Sequence, residues 1–456
     1  MPLAAPSLSP ELLARHDRPV PRYTSYPTAP HFHDGVGADL YRQWLARLPA
    51  DEALSLYLHV PFCAKMCWYC GCHTKVVGQY SPIAEYTSTL LHEIALAAHA
   101  IGHRAQVAHI HWGGGTPTIL AADDFRRLMD ALHGRFEVLP DAEIAVEADP
   151  RTLDDDRVRA MAESGVNRVS LGVQDLNAKV QEAINRVQPF EQVAEAVEKL
   201  RAAGIGAFNA DLMYGLPYQT ETDVRRTVDL IASLRPSRLA VFGYAHVPWM
   251  KTHMKMIPDA ALPGGPERLS QARAAAVALV ERGFRTIGLD HFAAPEDALA
   301  RALDAGRLKR NFQGYTDDSA SVLVGFGASS IGQLPEGYVQ NAVPFHLYDE
   351  AIAAGRLATS RGLALTPEDR LRRAVIEKLM CELTVDLAPL ARAHGFAEDT
   401  FDADLAQLEP LVADGLVAVT GSTVRIPEDA RLMMRTVAAV FDRYLQTGRG
   451  RHSRAV

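Results

Sequence analysis

Four of the chain's five cysteines stand within ten residues, in Cys63-Ala-Lys-Met-Cys67-Trp-Tyr-Cys70-Gly-Cys72. Thiols packed this closely favour metal chemistry over a disulfide framework. Cys63, Cys67 and Cys70 can each hold one iron of a 4Fe-4S cubane, which leaves the fourth iron without a protein ligand. That iron is a Lewis acid, and the amine and carboxylate of an amino-acid head group can chelate it. Structural zinc is the competing reading, with Cys72 or His73 as a fourth ligand. Zinc sites usually take their ligands from two knuckles separated by a longer loop, so a single short loop fits them poorly. Cys72 is then left over beside a redox metal, where an idle thiol is a liability, and a role for it is expected. The fifth, Cys381, lies in an apolar helical stretch and reads as a small core residue.

Further polar residues occur at regular points downstream. His111-Trp112-Gly113-Gly114-Gly115-Thr116 closes an apolar run, and consecutive glycines let a ligand approach the backbone. Glu147 ends another such run, Gln174 and Asp175 a third, and Asp211 lies in a fourth. Each alone is more often a satisfied structural residue, but their recurrence at successive run ends points to one site. There is no GxGxxG fingerprint and no P-loop. His109, His111, His246 and His291 do not have a metal-ligand spacing, and no Ser-His-Asp arrangement is identifiable.

The apolar runs cover residues 56–60, 107–112, 144–147, 168–173, 207–213 and 239–244. Helical patterns alternate with them at 83–101, 122–136, 154–164, 190–203 and 221–234. Repeated strand–helix units predict a parallel sheet with right-handed crossovers. Six of them favour a curled, barrel-like sheet whose ligands meet the C-terminal strand ends. An N-terminal arm (residues 1–50), Pro-rich and irregular, precedes it; its Pro21-Arg22-Tyr23-Thr24-Ser25-Tyr26-Pro27-Thr28 is either a surface tail or a strap over a site. The main unit runs over 51–355. Thr366 and Pro367 then open a helix, and residues 362–456 read as a small, mainly helical, winged-helix-like domain with a hairpin at 416–426. The net charge is −8, and no concentrated basic helix appears, which argues against nucleic acid as a partner. The tail arginines Arg449, Arg451 and Arg454 read as solvated. No apolar run has the length of a membrane span. Residues 1–10 lack the pattern of a secretory signal, so the cytosol is the expected compartment.

Together these motifs resemble the radical S-adenosylmethionine superfamily and, within it, the oxygen-independent coproporphyrinogen III oxidase (dehydrogenase) family. The second likeness rests on the arm, on Cys70-Gly71-Cys72, on Asn209-Ala210-Asp211-Leu212, on Tyr244-Ala245-His246-Val247-Pro248, on Asp290-His291-Phe292-Ala293 and on Asn311-Phe312-Gln313-Gly314-Tyr315-Thr316. It implies an incomplete TIM-like (β/α)6 barrel of the radical SAM type. It implies Cys63, Cys67 and Cys70 as cluster ligands, Cys72 as a catalytic participant, and two S-adenosylmethionine molecules side by side. Tyr57, Gly114, Glu147 and Ile331 match positions contacting the molecule on the cluster. Tyr69, Gly115, Thr116, Gln174, Arg186, Asp211 and Ala245 match positions contacting the second. Gly243 stands where Asn is expected, which puts the local hydrogen bonding in question.

The implied reaction is oxidative decarboxylation of two propionates of coproporphyrinogen III to vinyl groups by a 5′-deoxyadenosyl radical. An electron donor and a final acceptor, neither identified, are implied partners, and a monomer is expected. Arg22, Lys309 and Arg310 are candidates to meet the substrate carboxylates. The nearest alternative is the related haem chaperone, which binds and delivers haem but typically lacks the arm and the Cys70-Gly71-Cys72 pattern.

Overall fold

The computed structural model describes residues 9–445. Residues 1–8, part of the stretch read for a signal, and the arginines Arg449, Arg451 and Arg454 lie outside the described residues. Six strands pair in chain order, all parallel: β1 (Leu54–Val60), β2 (Gln106–Gly114), β3 (Glu137–Ala148), β4 (Arg168–Gln174), β5 (Ala207–Tyr214) and β6 (Arg238–Gly243). The expected helices between them form at Ser81–Ile101, Ala122–Arg135, Asp155–Glu163, Phe190–Ala202 and Glu221–Ser233.

Two antiparallel strands, β7 (Arg285–Ile287) and β8 (His291–Ala293), extend the sheet beyond β6. At the other edge β9 (Leu323–Phe326) lies parallel to β1. The parallel part therefore has seven strands, one more than periodicity predicts, because a four-residue apolar run carries no period of its own. Beyond β9 follow β10 (Ile331–Leu334), β11 (Gly337–Asn341) and β12 (Thr359–Ala364), all antiparallel. The two ends of this twelve-stranded sheet, β7 and β12, do not pair, so the barrel is open.

Side chains alternate across each strand. Leu56, Leu58, Ile110, Trp112, Val146, Leu171 and Phe208 are buried in the main hydrophobic core. The alternate positions line the lumen: His109, His111, Glu143, Glu147, Ser170, Asn209, Asp211 and Arg238. At its floor the buried guanidiniums of Arg168 and Arg238 pair with Glu143 (2.8 Å) and Asp297 (2.6 Å) respectively. A charge buried this deeply persists only when paired.

The arm is more ordered than its prolines suggested. Pro10–His16 is a helix capped by the Ser9 hydroxyl, with Pro10 in the first turn where no amide donor is missed. A second helix spans Ala38–Leu45. The Pro21–Thr28 stretch is not a loose tail, since Val20, Tyr23 and Tyr26 are buried in the core of the C-terminal domain. Tyr23 donates to Asp442 (3.0 Å), and Arg435 holds the carbonyls of Val20 and Pro21.

The helix Pro367–Glu382 starts at a Thr366–Asp369 capping box, and Cys381 within it is buried. The expected hairpin turns at Gly421-Ser422 between Ala418–Thr420 and Thr423–Arg425, and Thr384–Asp386 adds a third strand. The final helix is short, Met434–Ala438. Among the described residues, no helix is long and apolar enough to cross a membrane.

Candidate active site

The cysteine loop leaves β1 at Pro61 and folds over the C-terminal ends of β2 to β5. A cavity of about 190 Å³ opens there. Cys63, Cys67, Cys70, Cys72, Tyr69, Gly114, Gly115, Thr116, Glu147, Gln174, Arg186 and Asp211 all line it. Three of the expected site residues do not. Tyr57 lies just behind, its ring 3.1 Å from where a β-carbon on Gly113 would fall. Ala245 lines a neighbouring cavity, and Ile331 opens β10.

Each of the three spaced sulfurs has its own donors. Cys63 Sγ receives the Thr74 hydroxyl at 3.2 Å and lies 3.4 Å from that of Thr116. Cys67 Sγ receives Arg186 Nη1 at 3.5 Å and Arg151 Nη2 at 3.7 Å. Cys70 Sγ receives the Cys72 amide at 3.4 Å. The Cys72 thiol also donates to that sulfur, which brings Cys70 down to about 6 while keeping Cys72 itself well above the usual thiol range. All four thiols are free.

Donors aimed at separate sulfurs suit thiolates that stay ionised on iron. Among the described residues no three His, Cys, Asp or Glu side chains converge on a single ion. A cubane takes one thiolate on each of three irons, and three cysteines whose sulfurs each have their own donors fit that requirement. The Arg186 Nε, buried with no hydrogen-bond partner, is a further polar atom awaiting a ligand.

The loop's backbone is held from outside. His253 Nε2 lies 2.7 Å from the Cys70 carbonyl, and Lys251 Nζ donates to that of Cys72 at 2.8 Å. Asn185 donates to the Met66 carbonyl (2.8 Å), and the Trp68 amide donates to that of Ile184 (2.9 Å). On the far side the Gly115 and Thr116 amides donate to Val60 and Phe62 at 2.9 Å each. That approach requires glycine: a β-carbon on Gly115 would stand 2.5 Å from the Phe62 carbonyl oxygen. Gly114 has φ +115°, a conformation open to glycine.

Three carboxylates, Glu147, Asp211 and Asp149, complete the cavity. Glu147 accepts from the Gly114 amide at 3.3 Å and lies 3.2 Å from His111 Nε2. Asp211 accepts from Ser170 Oγ at 3.1 Å, and burial, with the Glu147 charge nearby, pushes its carboxyl up to about 7. Arg186 pairs with Asp149 (3.2 Å) and donates to the Gly172 carbonyl (2.5 Å). Asp149 is also held by Arg151 at 2.6 Å, and these cations keep it below the usual carboxylate range despite its burial. Gln174 sits at φ +69°, where the β4–β5 register breaks.

Sequence reasoning missed Thr74, Arg151, Asn185, Lys251 and His253. Arg151 follows Asp149-Pro150 at a strand end and could have been suspected; the others carry no sequence signal. The questioned position Gly243 accepts a bond from Arg22 (3.2 Å) through its carbonyl.

An open parallel barrel with three free thiols on the loop after its first strand defines a radical S-adenosylmethionine protein. The Radical SAM superfamily model matches residues 57–231, and the HemN C-terminal domain model matches residues 365–433. The chain is 54% identical over 437 residues to the oxygen-independent coproporphyrinogen III oxidase of Bradyrhizobium diazoefficiens, covering 96% of this chain and 97% of that one. It is 40% identical over 437 residues to the protein of the same name from Escherichia coli K12, covering 95% of each. The solved structure of coproporphyrinogen III oxidase (HemN) from Escherichia coli, described as a radical SAM enzyme, superposes with a TM-score of 0.88 at 38% identity, over 93% of this chain and 97% of that one. The chain belongs to the oxygen-independent coproporphyrinogen III oxidase family.

Proposed function

We propose that this chain oxidatively decarboxylates two propionate side chains of coproporphyrinogen III to vinyl groups without oxygen, giving protoporphyrinogen IX for porphyrin and haem biosynthesis. The observation that carries this reading is the single cavity in which four thiols, three carboxylates and a glycine-lined strand end meet. Its setting in a chain that follows the named oxidases over nearly their whole length supports the particular substrate.

In this reading Cys63, Cys67 and Cys70 hold a 4Fe-4S cluster, and two S-adenosylmethionine molecules bind beside it. When bound, the cluster and its cofactor supply the 5′-deoxyadenosyl radical that removes a hydrogen atom from the propionate β-carbon, after which carbon dioxide and one electron leave. The protein's work is positioning and exclusion of water. Arg151 and Arg186 donate to Cys67, and Thr74 to Cys63, so each sulfur would meet a donor beside the iron it holds. Glu147, anchored by the Gly114 amide, presents an acceptor to an ammonium group, with the Tyr57 ring near it at Gly113; by the family resemblance Ile331 contacts the same cofactor molecule. Tyr69, Gly115, Thr116, Gln174, Arg186, Asp211 and Ala245 surround the second cofactor. Cys72 keeps its proton next to Cys70 at the mouth of the cavity, where it can exchange a proton or hydrogen atom with substrate. The arm, the barrel unit and the C-terminal domain work as one enzyme, monomeric and cytosolic, drawing on a separate electron donor and acceptor.

The test is anaerobic. The cluster is reconstituted and reduced, S-adenosylmethionine and coproporphyrinogen III are added, and the products are weighed by mass spectrometry. Loss of two carboxyl groups is expected. Intact substrate together with stable haem binding would refute the enzyme and favour the chaperone.

A further inference from the structure

A cavity of about 700 Å³ lies apart from the one that holds the cysteines. It lies on the outer face of β6: Val241 and Gly243 line it, whereas Ala240 and Phe242 face the lumen. Three separate parts of the chain close it. They are the arm, the barrel edge with the helix Gly265–Glu281, and the turn before Met434–Ala438.

Its charge is lopsided. Six arginines, Arg22, Arg268, Arg273, Arg310, Arg431 and Arg435, line it together with three acidic residues, Asp290, Glu428 and Asp429. Arg431 is paired with Glu428 at 2.6 Å, but Arg22 and Arg268 make no ion pair among the described residues. Arg268 only lies over the Tyr214 ring, and Arg22 reaches the Gly243 carbonyl. The Arg310 side chain is 5% exposed, yet its nearest carboxylate, Asp290, is 4.0 Å away. Its Nε and Nη1 are buried without a hydrogen bond. Arg435, buried beside Arg22 and Arg310, is lowered to about 10 by burial and by their charges. Arg22 and Arg268 without ion pairs among the described residues, crowded with Arg310 whose Nε and Nη1 are unused, are arranged for anions from outside the chain.

The rest of the wall is apolar: Leu262, Leu289, Phe292, Ala272 and Trp249. The ligand must therefore join a broad hydrophobic body to several carboxylates. The cavity shares no lining residue with the cysteine-loop cavity, and one loop links the two. Tyr244, Ala245, His246 and Trp249 form one wall, and the loop they begin carries the Lys251 and His253 that hold the Cys72 and Cys70 carbonyls.

We propose that this cavity anchors the tetrapyrrole substrate by the propionates that are not reacting, while the reacting one extends past the Tyr244–His246 turn toward the cysteine loop. The assignment rests on the decarboxylation reading above. Of the three basic residues expected to meet substrate, Arg22 and Arg310 belong to this anchor. Lys309 does not line the cavity and pairs with Glu377 at 3.3 Å.

The test uses reconstituted full-length protein titrated with two fluorescent porphyrins: coproporphyrin III, the stable oxidised tetracarboxylate, and mesoporphyrin IX, a dicarboxylate like the product. The wild type should bind the tetracarboxylate more tightly. Arg268→Gln and Arg310→Gln should each weaken coproporphyrin binding about tenfold, the scale of one charge-assisted bond, with a matching rise in KM. Arg268→Lys should recover part of the loss. Arg268 is only partly buried, so its variant remains informative if Arg310→Gln fails to fold. Equal affinity of the wild type for both porphyrins would overturn the assignment in favour of a product or haem site. Affinity and KM within twofold of wild type in both variants would overturn the pocket and leave the reaction standing. Coproporphyrin binding without decarboxylation by the wild type would overturn the reaction instead.

Discussion

Asp211→Asn separates the charge of this carboxyl from its shape. Asp211 is pushed up to about 7, first by burial and then by the Glu147 charge. Its unfolded value is near 3.8, so between those pH values the folded protein holds a proton that the unfolded chain has released. Stability contributed by the protonated group is therefore present in full below the unfolded value, declines as pH rises, and is gone above about 7. The difference between 3.8 and about 7 corresponds to about 4 kcal/mol over the whole range. Asp211 is partly open to the cavity, where water offsets some of that penalty. Between pH 5 and 8 the wild type without cofactor should lose about 2–3 kcal/mol that Asp211→Asn does not lose. Thermal and urea unfolding of both proteins at several pH values, without S-adenosylmethionine, measure this directly. Adding S-adenosylmethionine should stabilise the wild type more at pH 8 than at pH 6, because a cationic ligand near Glu147 and Asp211 relieves the repulsion. Parallel stability–pH curves for the two proteins would refute the reasoning.

Cys72→Ser should assemble its cluster with unchanged iron content and lose turnover, because Cys72 touches Cys70 without belonging to the spaced triad; lost iron in that variant would make Cys72 a ligand. Gly115→Ala should destabilise the protein by about 1–3 kcal/mol, the usual range for overpacking. Its β-carbon would fall 2.5 Å from the Phe62 carbonyl oxygen, and the variant should also bind S-adenosylmethionine at least about tenfold more weakly; unchanged melting and affinity would show that the loop yields freely.

The cluster loop was legible in the sequence because its chemistry is local: three thiols at fixed spacing need only a turn to bring them together. The barrel was legible for a related reason. Strand and helix periods survive in the sequence, and strand alternation sends Glu147 and Asp211 to the lumen while Val146 and Leu212 go to the core. The seventh parallel strand was not legible, since Leu323–Phe326 is too short to show a period and pairs with a strand more than 260 residues earlier. The arm was half legible. Its motif stood out, but only packing shows that Tyr23 and Tyr26 belong to the C-terminal domain's core.

By itself, then, the sequence determined what the site is made of: the thiol triad, the glycine run and the carboxylates at the strand ends. Tertiary structure alone decided what holds and surrounds that site. Arg151 and Arg186 reach Cys67 from two different strand ends, and Lys251 and His253 grip the loop from nearly two hundred residues away. The six arginines of the outer cavity come from the arm, the barrel and the C-terminal domain. In the linear chain Arg22 and Arg310 stood out only through the family resemblance, and the other four are charged residues like any other. Contacts between distant segments leave no periodicity or spacing behind, and charges from three parts of the chain meet only once it has folded.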